Sequence, residues 1–260
     1  MWRVGRERVV LAGGPAALLL QIAHPLIAAG VSDHSDFRRN PFVRLRATLD
    51  ATLRISFGDT KQAHASAAAV RATHSGVRGR LGTAVGPFEA GTPYDASDPA
   101  LALWVHATLV WAALETYHRL VRSLGQGQRA AYYDDLKPFA ALFGVTEAVL
   151  PNTYSDFLDY FRIVLSGPTL VVGPQGRALA AHILRPPLPH GLGPLSAFTV
   201  AFTAQLLPGR LREAFGLAWG SKERAAAATL VLASKGSVWA LPPGIRYWPH
   251  YREAKRRAGA

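Results

Sequence analysis

Ser97–Leu124 reads SDPALALWVHATLVWAALETYHRLVRSL. Ser97 suits a helix N-cap, and Pro99 falls in the first turn, where a missing amide N–H costs nothing. The apolar run that follows lacks the period-two alternation of a strand and predicts a long apolar helix to about Leu124.

Reading outward from this segment, helices recur almost everywhere. Upstream, Gly79–Ala96 holds four Gly and two Pro and predicts a loop. Before it, Thr60 can cap a helix over Lys61–Arg78. Pro41–Phe57 predicts another, closed by Gly58, with Leu45, Leu49 and Leu53 at helical intervals. Downstream, helices fit Gln128–Phe143 (kinked at Pro138), Ser155–Ser166, Gly176–Leu184, Leu195–Leu207, Pro208–Trp219 and Ser221–Leu232. Pro242-Pro243-Gly244 then interrupts the chain before a short helix around His250–Arg257. Thr169–Val172 is the one short β-like run. Tyr154-Ser155-Asp156 reads as a helix cap, and Tyr132-Tyr133-Asp134-Asp135 as a solvated helix face. The expectation is an all-α fold, a single multi-helix domain over residues 1–260.

Met1–Arg8 carries three Arg, and Val9–Val31 is nearly all apolar. Gly13, Gly14, Pro15, Gln21, His24 and Pro25 interrupt that run, and no clear Ala-x-Ala cleavage site follows. The reading is a buried helix from Pro15 to about Ala23, broken at Pro25, in a cytoplasmic chain.

The chain has 29 basic and 17 acidic residues, a net charge of +12, and 24 of the 29 are Arg. Nucleic acid is not expected as a partner, because no zinc-finger spacing, RNP signature or basic zipper accompanies the charge. Arg suits carboxylates such as propionates, and it allows peripheral contact with anionic membranes. The absence of Cys excludes disulfides, Cys-based zinc sites, ordinary iron–sulfur clusters and thiol catalysis.

Chemistry therefore falls to the nine His. No H-E-x-x-H occurs, and His64 and His74 are ten residues apart, about 15 Å along a helix, too far to share an ion. Glu115-Thr116-Tyr117-His118 is a lone Glu-x-x-His, whereas di-iron bundles need two. Single His in an apolar all-α chain point instead to an axial heme ligand. Arg71, His74 and Arg78 recur at i, i+3 and i+7, so an iron ligand at His74 would lie between two guanidinium groups able to pair with propionates. Arg44 and Thr48, at i and i+4, offer a cation and a hydroxyl to the same pocket. His24 and His106, in apolar runs, could line its distal side.

An ordered set of short blocks adds to this reading. Leu18-Leu19-Leu20-Gln21-Ile22-Ala23-His24-Pro25 is followed by His34-Ser35-Asp36-Phe37, by Arg44-Leu45-Arg46-Ala47-Thr48-Leu49 and by Phe57-Gly58. Then come His74-Ser75-Gly76-Val77-Arg78-Gly79, Tyr94–Pro99, Trp104–Leu109, and a tail with Pro242-Pro243, Arg246 and Pro249-His250-Tyr251. Together they resemble the MpaB-type and rubber-oxygenase family. The resemblance implies an all-helical fold with a globin-like core and one noncovalent b-type heme, with His74 as the proximal iron ligand. It also implies roles for Arg44 and Thr48 on the preceding helix. Ala47 stands where the polyisoprene-cleaving members carry a Lys, and their catalytic carboxylate has no clear counterpart in Pro25–Val31. The implied activity is a heme-dependent oxygenation of an apolar substrate, unsaturated or isoprenoid, with dioxygen. The other class left open is a heme carrier or a gas or redox sensor without catalysis.

Overall fold

The structure, a computed structural model, describes residues 1–34, 41–185 and 193–259, with side chains from 46 and 196 onward in the two helices that open the later segments. It is predominantly helical. The elements run α1 (Trp2–Gly5), a 3-10 turn over Arg8–Gly13, α2 (Gly14–Ile22), α3 (Pro25–His34), α4 (Pro41–Phe57) and α5 (Thr60–His74). A two-stranded antiparallel pair follows, β1 (Arg78–Arg80) and β2 (Pro93–Asp95), then α6 (Pro99–Leu120), α7 (Gln126–Leu142) and α8 (Tyr154–Ser166). The remainder is α9 (Pro174–Leu184), α10 (Gly193–Leu206), α11 (Gly209–Ala214), α12 (Ser221–Ala240), α13 (Pro243–Arg246) and α14 (Pro249–Arg257).

α6 is the axis of the fold. Its cap is Asp98, whose carboxylate accepts the Ala100 N–H at 2.8 Å; Ser97 instead donates its own N–H to Asp95. Leu101, Leu103, Trp104, Ala107, Val110, Leu114, Tyr117 and Leu120 are all buried. α2 runs antiparallel along it. Gln21 donates to the Thr108 hydroxyl at 2.9 Å and the Trp104 indole donates to the Leu20 carbonyl at 3.1 Å. Gly13 lies so close to α6 that a Cβ there would fall 2.1 Å from the Thr116 Oγ1. On the α8 side Phe161 stacks with both Trp104 and Trp111, at 5.4 and 5.2 Å between ring centres. Trp104 and Phe161, both buried, each contribute about 1.5–3 kcal/mol of apolar burial, and the half-buried Trp111 less.

The two ends of the described chain are latched. Arg246 at the end of α13 donates twice to the Glu7 carboxylate, at 2.8 Å each, and both side chains are buried. The Arg246 guanidinium also lies 4.1 Å from the centre of the Trp239 ring.

Several elements differ from the expectation. Pro25 starts α3 rather than merely ending α2, because a proline at the first helical position loses only an amide that would be unpaired anyway. α5 ends at His74, four residues early, and Asp59 rather than Thr60 caps it, through a reciprocal pair with Gln62. The Gly79–Ala96 stretch contains most of a hairpin, whereas Thr169–Val172 forms no strand. Thr153 caps α8, and α12 runs eight residues beyond Leu232. Tyr132 and Tyr133 are buried, so only Asp134 and Asp135 of that run face solvent. Among the described residues no single helix is long and apolar enough to cross a membrane. Arg8–Ile22 and Pro25–His34 would suffice together, but the chain bends by 106° between them.

Candidate functional site

The α4–α5 hairpin is packed at its closed end and open at the other. Near the turn, Leu53 and Phe57 are buried against Ala254, Trp248 and Tyr251 of the tail. In the first half of α4, Arg46, Ala47 and Thr48 are exposed, and Arg71, Ala72, Thr73 and His74 are all exposed at the end of α5. Successive helical residues turn by about 100°, so four exposed in a row leave no side of that last turn buried. Thr48 precedes Phe57 by nine residues, and Ala69 follows Thr60 by nine. At about 1.5 Å per residue, Thr48 and the backbone of Arg44 therefore lie level with the last turns of α5. The Arg44 side chain lies outside the described residues.

The end of α7 connects this hairpin to the core. Arg71 donates from Nη1 to the Leu142 carbonyl at 2.6 Å. One turn earlier on α7, Phe139 stacks on the His106 ring, 6.2 Å between centres and 29° between planes. Leu142 and Phe139 are three residues apart and so share a face of α7, which brings Arg71, the last turn of α5 and His106 into one neighbourhood. His106 is buried and its Nε2 has no hydrogen-bond partner among the described residues. Burial pushes its pKa down to about 4, so the imidazole is neutral at pH 7.

Beside His106, Ala102, Val105, Leu109 and Ala113 recur at three- and four-residue spacing along α6, and none of them is fully buried. Leu109 is 42% exposed in the middle of the most buried helix of the fold. Leu109 is thus the exposed member of a partly covered apolar strip, one turn from a buried neutral imidazole, and an exposed Leu on a core helix is suited to contact with an apolar ligand.

His24 lies elsewhere. It is buried at the α2–α3 junction against Phe88, 5.2 Å between ring centres, and feels Asp98 at the start of α6. Burial lowers its pKa to about 4, Asp98 opposes that shift, and its Nδ1 lacks a partner among the described residues. Asp98 precedes His106 by eight residues, about 12 Å along α6, so the structure does not bring the two His together. Arg78 is not on the helix that carries Arg71 and His74. It belongs to β1 and donates from Nη2 to the Ser75 carbonyl at 2.7 Å, satisfying an acceptor just past the end of α5.

Sequence reasoning missed the tie that holds this corner. The Tyr94 hydroxyl donates to Asp33 at 2.8 Å and lies 3.3 Å from His34 Nε2, which is itself 3.1 Å from the Arg78 carbonyl. Burial and the Asp33 carboxylate push the Tyr94 pKa up to about 12. The end of α3, the strand after α5 and β2 are thus fixed together, and with them the position from which His74 projects. The only advance signal was that His34, Arg78 and Tyr94 all belong to the blocks quoted for the family resemblance.

The Glu-x-x-His of α6 is structural. Glu115 pairs with Arg129 at 2.8 Å and Arg119 at 3.3 Å, and His118 Nδ1 accepts the Leu124 N–H at 3.0 Å. Among the described residues no group of three or more His, Asp or Glu could hold a metal ion directly.

Residues 2–235 match the family described as ER-bound oxygenase mpaB/B'/rubber oxygenase, catalytic domain, and the chain belongs to that family. It is 28% identical over 218 residues to an uncharacterized protein of Mycobacterium bovis and, to the same extent, to one of Mycobacterium tuberculosis. These alignments cover 81% of this chain and 82% of each relative. No solved structure matches it.

Proposed function

We propose that this chain is a heme b-dependent oxygenase acting with dioxygen on a small apolar substrate, unsaturated or isoprenoid in character, and that residues 1–260 work as one catalytic domain. The observation that carries the reading is the exposed Leu109 on core helix α6, one turn from the buried His106 whose Nε2 has no partner among the described residues, in a chain of an oxygenase family.

The residues present fit a heme. The α6 strip would offer an apolar wall for a porphyrin face, and the end of the α4–α5 hairpin, tied to α7 through Arg71, would offer donors. His74 would hold iron through a neutral imidazole whose other ring nitrogen donates to an acceptor. Arg71 has donors beyond the one given to Leu142 and would pair with a propionate, as would Arg44. Arg78 supports the end of α5 and places a second cation beside it. Thr48 would supply a hydroxyl at the pocket mouth. His106 would stay uncharged, with a buried Nε2 that lacks a partner among the described residues, while His24, packed on Phe88 near the start of α6, would act from outside this neighbourhood. When bound, the heme would supply dioxygen activation, and the protein would supply ligand, apolar surroundings and substrate orientation.

The test is reconstitution of the purified chain with hemin, followed by absorption spectroscopy and oxygen-uptake measurements on the reduced protein with an isoprenoid substrate. A Soret band that is lost or shifted in His74→Ala but kept in His64→Ala is expected, together with substrate-dependent oxygen uptake. Heme binding without uptake would point to a carrier or sensor, and no Soret band would defeat the proposal.

A further inference from the structure

The C-terminal part of the chain combines two features used nowhere above. α12 is a 20-residue helix of which only Ala227 and Val238 are buried. Its outward face carries Leu232 (71% exposed) and, seven residues on, Trp239 (53% exposed). Seven residues are close to two whole turns, so both point the same way. Gly236, between them, has nothing within 4 Å of where a Cβ would lie. Leu241 and Ile245 (58% exposed) continue the apolar surface past the helix end. The Trp239 ring is held rigidly, by its indole N–H on the Val121 carbonyl and by Arg246 beneath it.

The second feature is charge. Residues 220–260 hold eight Lys or Arg and two Glu, a surplus of six that is half of the chain's net +12. Arg246 is committed to Glu7, and Glu223 to the backbone at the start of α12. Arg252, Lys255 and Arg256 are exposed; Arg224 and Arg257 are exposed too, but each gives one donor to a backbone carbonyl, of Trp219 and Phe57. The Arg252 guanidinium lies 3.7 Å from a Cβ built on Gly244, next to Ile245.

We propose that the α12–α14 surface docks peripherally on an anionic lipid bilayer, with Leu232, Trp239, Leu241 and Ile245 entering the headgroup layer and the flanking Arg and Lys held by lipid phosphates and carboxylates. Aliphatic side chains and a fixed indole gain by leaving water at the interface, where Trp is favoured. Exposed cations gain from the negative surface potential. Neither feature alone anchors a protein stably, and their meeting at Ile245 and Arg252 is what singles out a membrane. The inference is independent of the heme reading.

The experiment is co-sedimentation of the full chain with phosphatidylcholine vesicles, with and without about one-third phosphatidylserine, a fraction chosen to mimic an anionic leaflet. Binding is expected with the anionic vesicles, weak binding with the neutral ones, and a decline as salt rises. Leu232→Asp, Ile245→Asp and Arg252→Glu should each partition about fivefold to tenfold less, whereas Ile163→Asp, on an equally exposed site of α8, should not. All four sites are exposed, so circular dichroism and thermal melts should match the unmodified chain. Equal binding to neutral and anionic vesicles, no binding at low salt, or unchanged partition of Leu232→Asp and Ile245→Asp would overturn the proposal. So would size-exclusion chromatography showing a dimer that Ile245→Asp dissociates, because the surface would then belong to a second copy.

Discussion

Gly79 and Tyr94 sit opposite each other in the β1–β2 pair so closely that a Cβ at Gly79 would fall 2.4 Å from the Tyr94 hydroxyl. The backbone at Gly79 is of a kind any residue adopts, so the constraint is space alone. Gly79→Ala must push the phenol off Asp33 and His34. A loss of about 1–3 kcal/mol is expected, the usual range for overpacking. Gly76→Ala, with open space around its Cβ, should change stability little. Urea unfolding of both variants checks the contrast.

The Glu7–Arg246 pair should behave as a buried ion pair. Glu7→Leu leaves the Arg246 charge uncompensated and should cost about 3–5 kcal/mol, whereas Arg246→Met leaves Glu7 the Arg6 guanidinium at 3.7 Å and should cost less. The double variant should recover part of that loss. A double-mutant cycle by chemical denaturation measures it.

Two His make the heme-free chain sensitive to acid. His24 and His106 titrate near 4 when folded because burial disfavours their charged forms, against about 6.5 when unfolded. Between these values the unfolded chain binds more protons. Stability is therefore full above pH 6.5 and falls as pH drops towards 4, by up to about 1.4 kcal/mol per pH unit for each His. His106→Leu should roughly halve that slope, which denaturation midpoints at pH 7, 6 and 5 would show.

Leu109 separates stability from cofactor retention. Because it is 42% exposed, Leu109→Asp should shift stability by only about 0.5 kcal/mol. It should nevertheless weaken hemin binding, because it places a charge on the α6 strip proposed to bear the porphyrin. Leu114→Asp, on a buried face of the same helix, should unfold the chain. Hemin titration alongside thermal melts distinguishes the two.

Much of the helical order was legible because long apolar runs, proline starts and glycine stops are local signals. α6 was read within a few residues of its end, and its cap within one. What escaped was decided by distant partners. Three-residue strands rich in Gly and Pro look like loop, and only Tyr94 packing over Gly79 makes them a hairpin. The i, i+3, i+7 face of Arg71, His74 and Arg78 assumed a helix that stops at His74, so the two guanidinium groups leave different elements. The neighbourhood of Arg71 and His106 was not legible at all, since it depends on how α7 ends. Nothing in the sequence could have put Phe139 on His106 and Leu142 on Arg71.

Arg246 meets Glu7 across 239 positions of chain, and this sets an order of events during synthesis. The Glu7 carboxylate is synthesised 239 residues before the guanidinium that meets it in the interior. Until then only the neighbouring Arg6 guanidinium, 3.7 Å away, is at hand to offset the Glu7 charge as α1 and the turn after it close. The latch is therefore a contact of very high sequence separation, and it can form only once the α6-centred body that lies between its two members has been made.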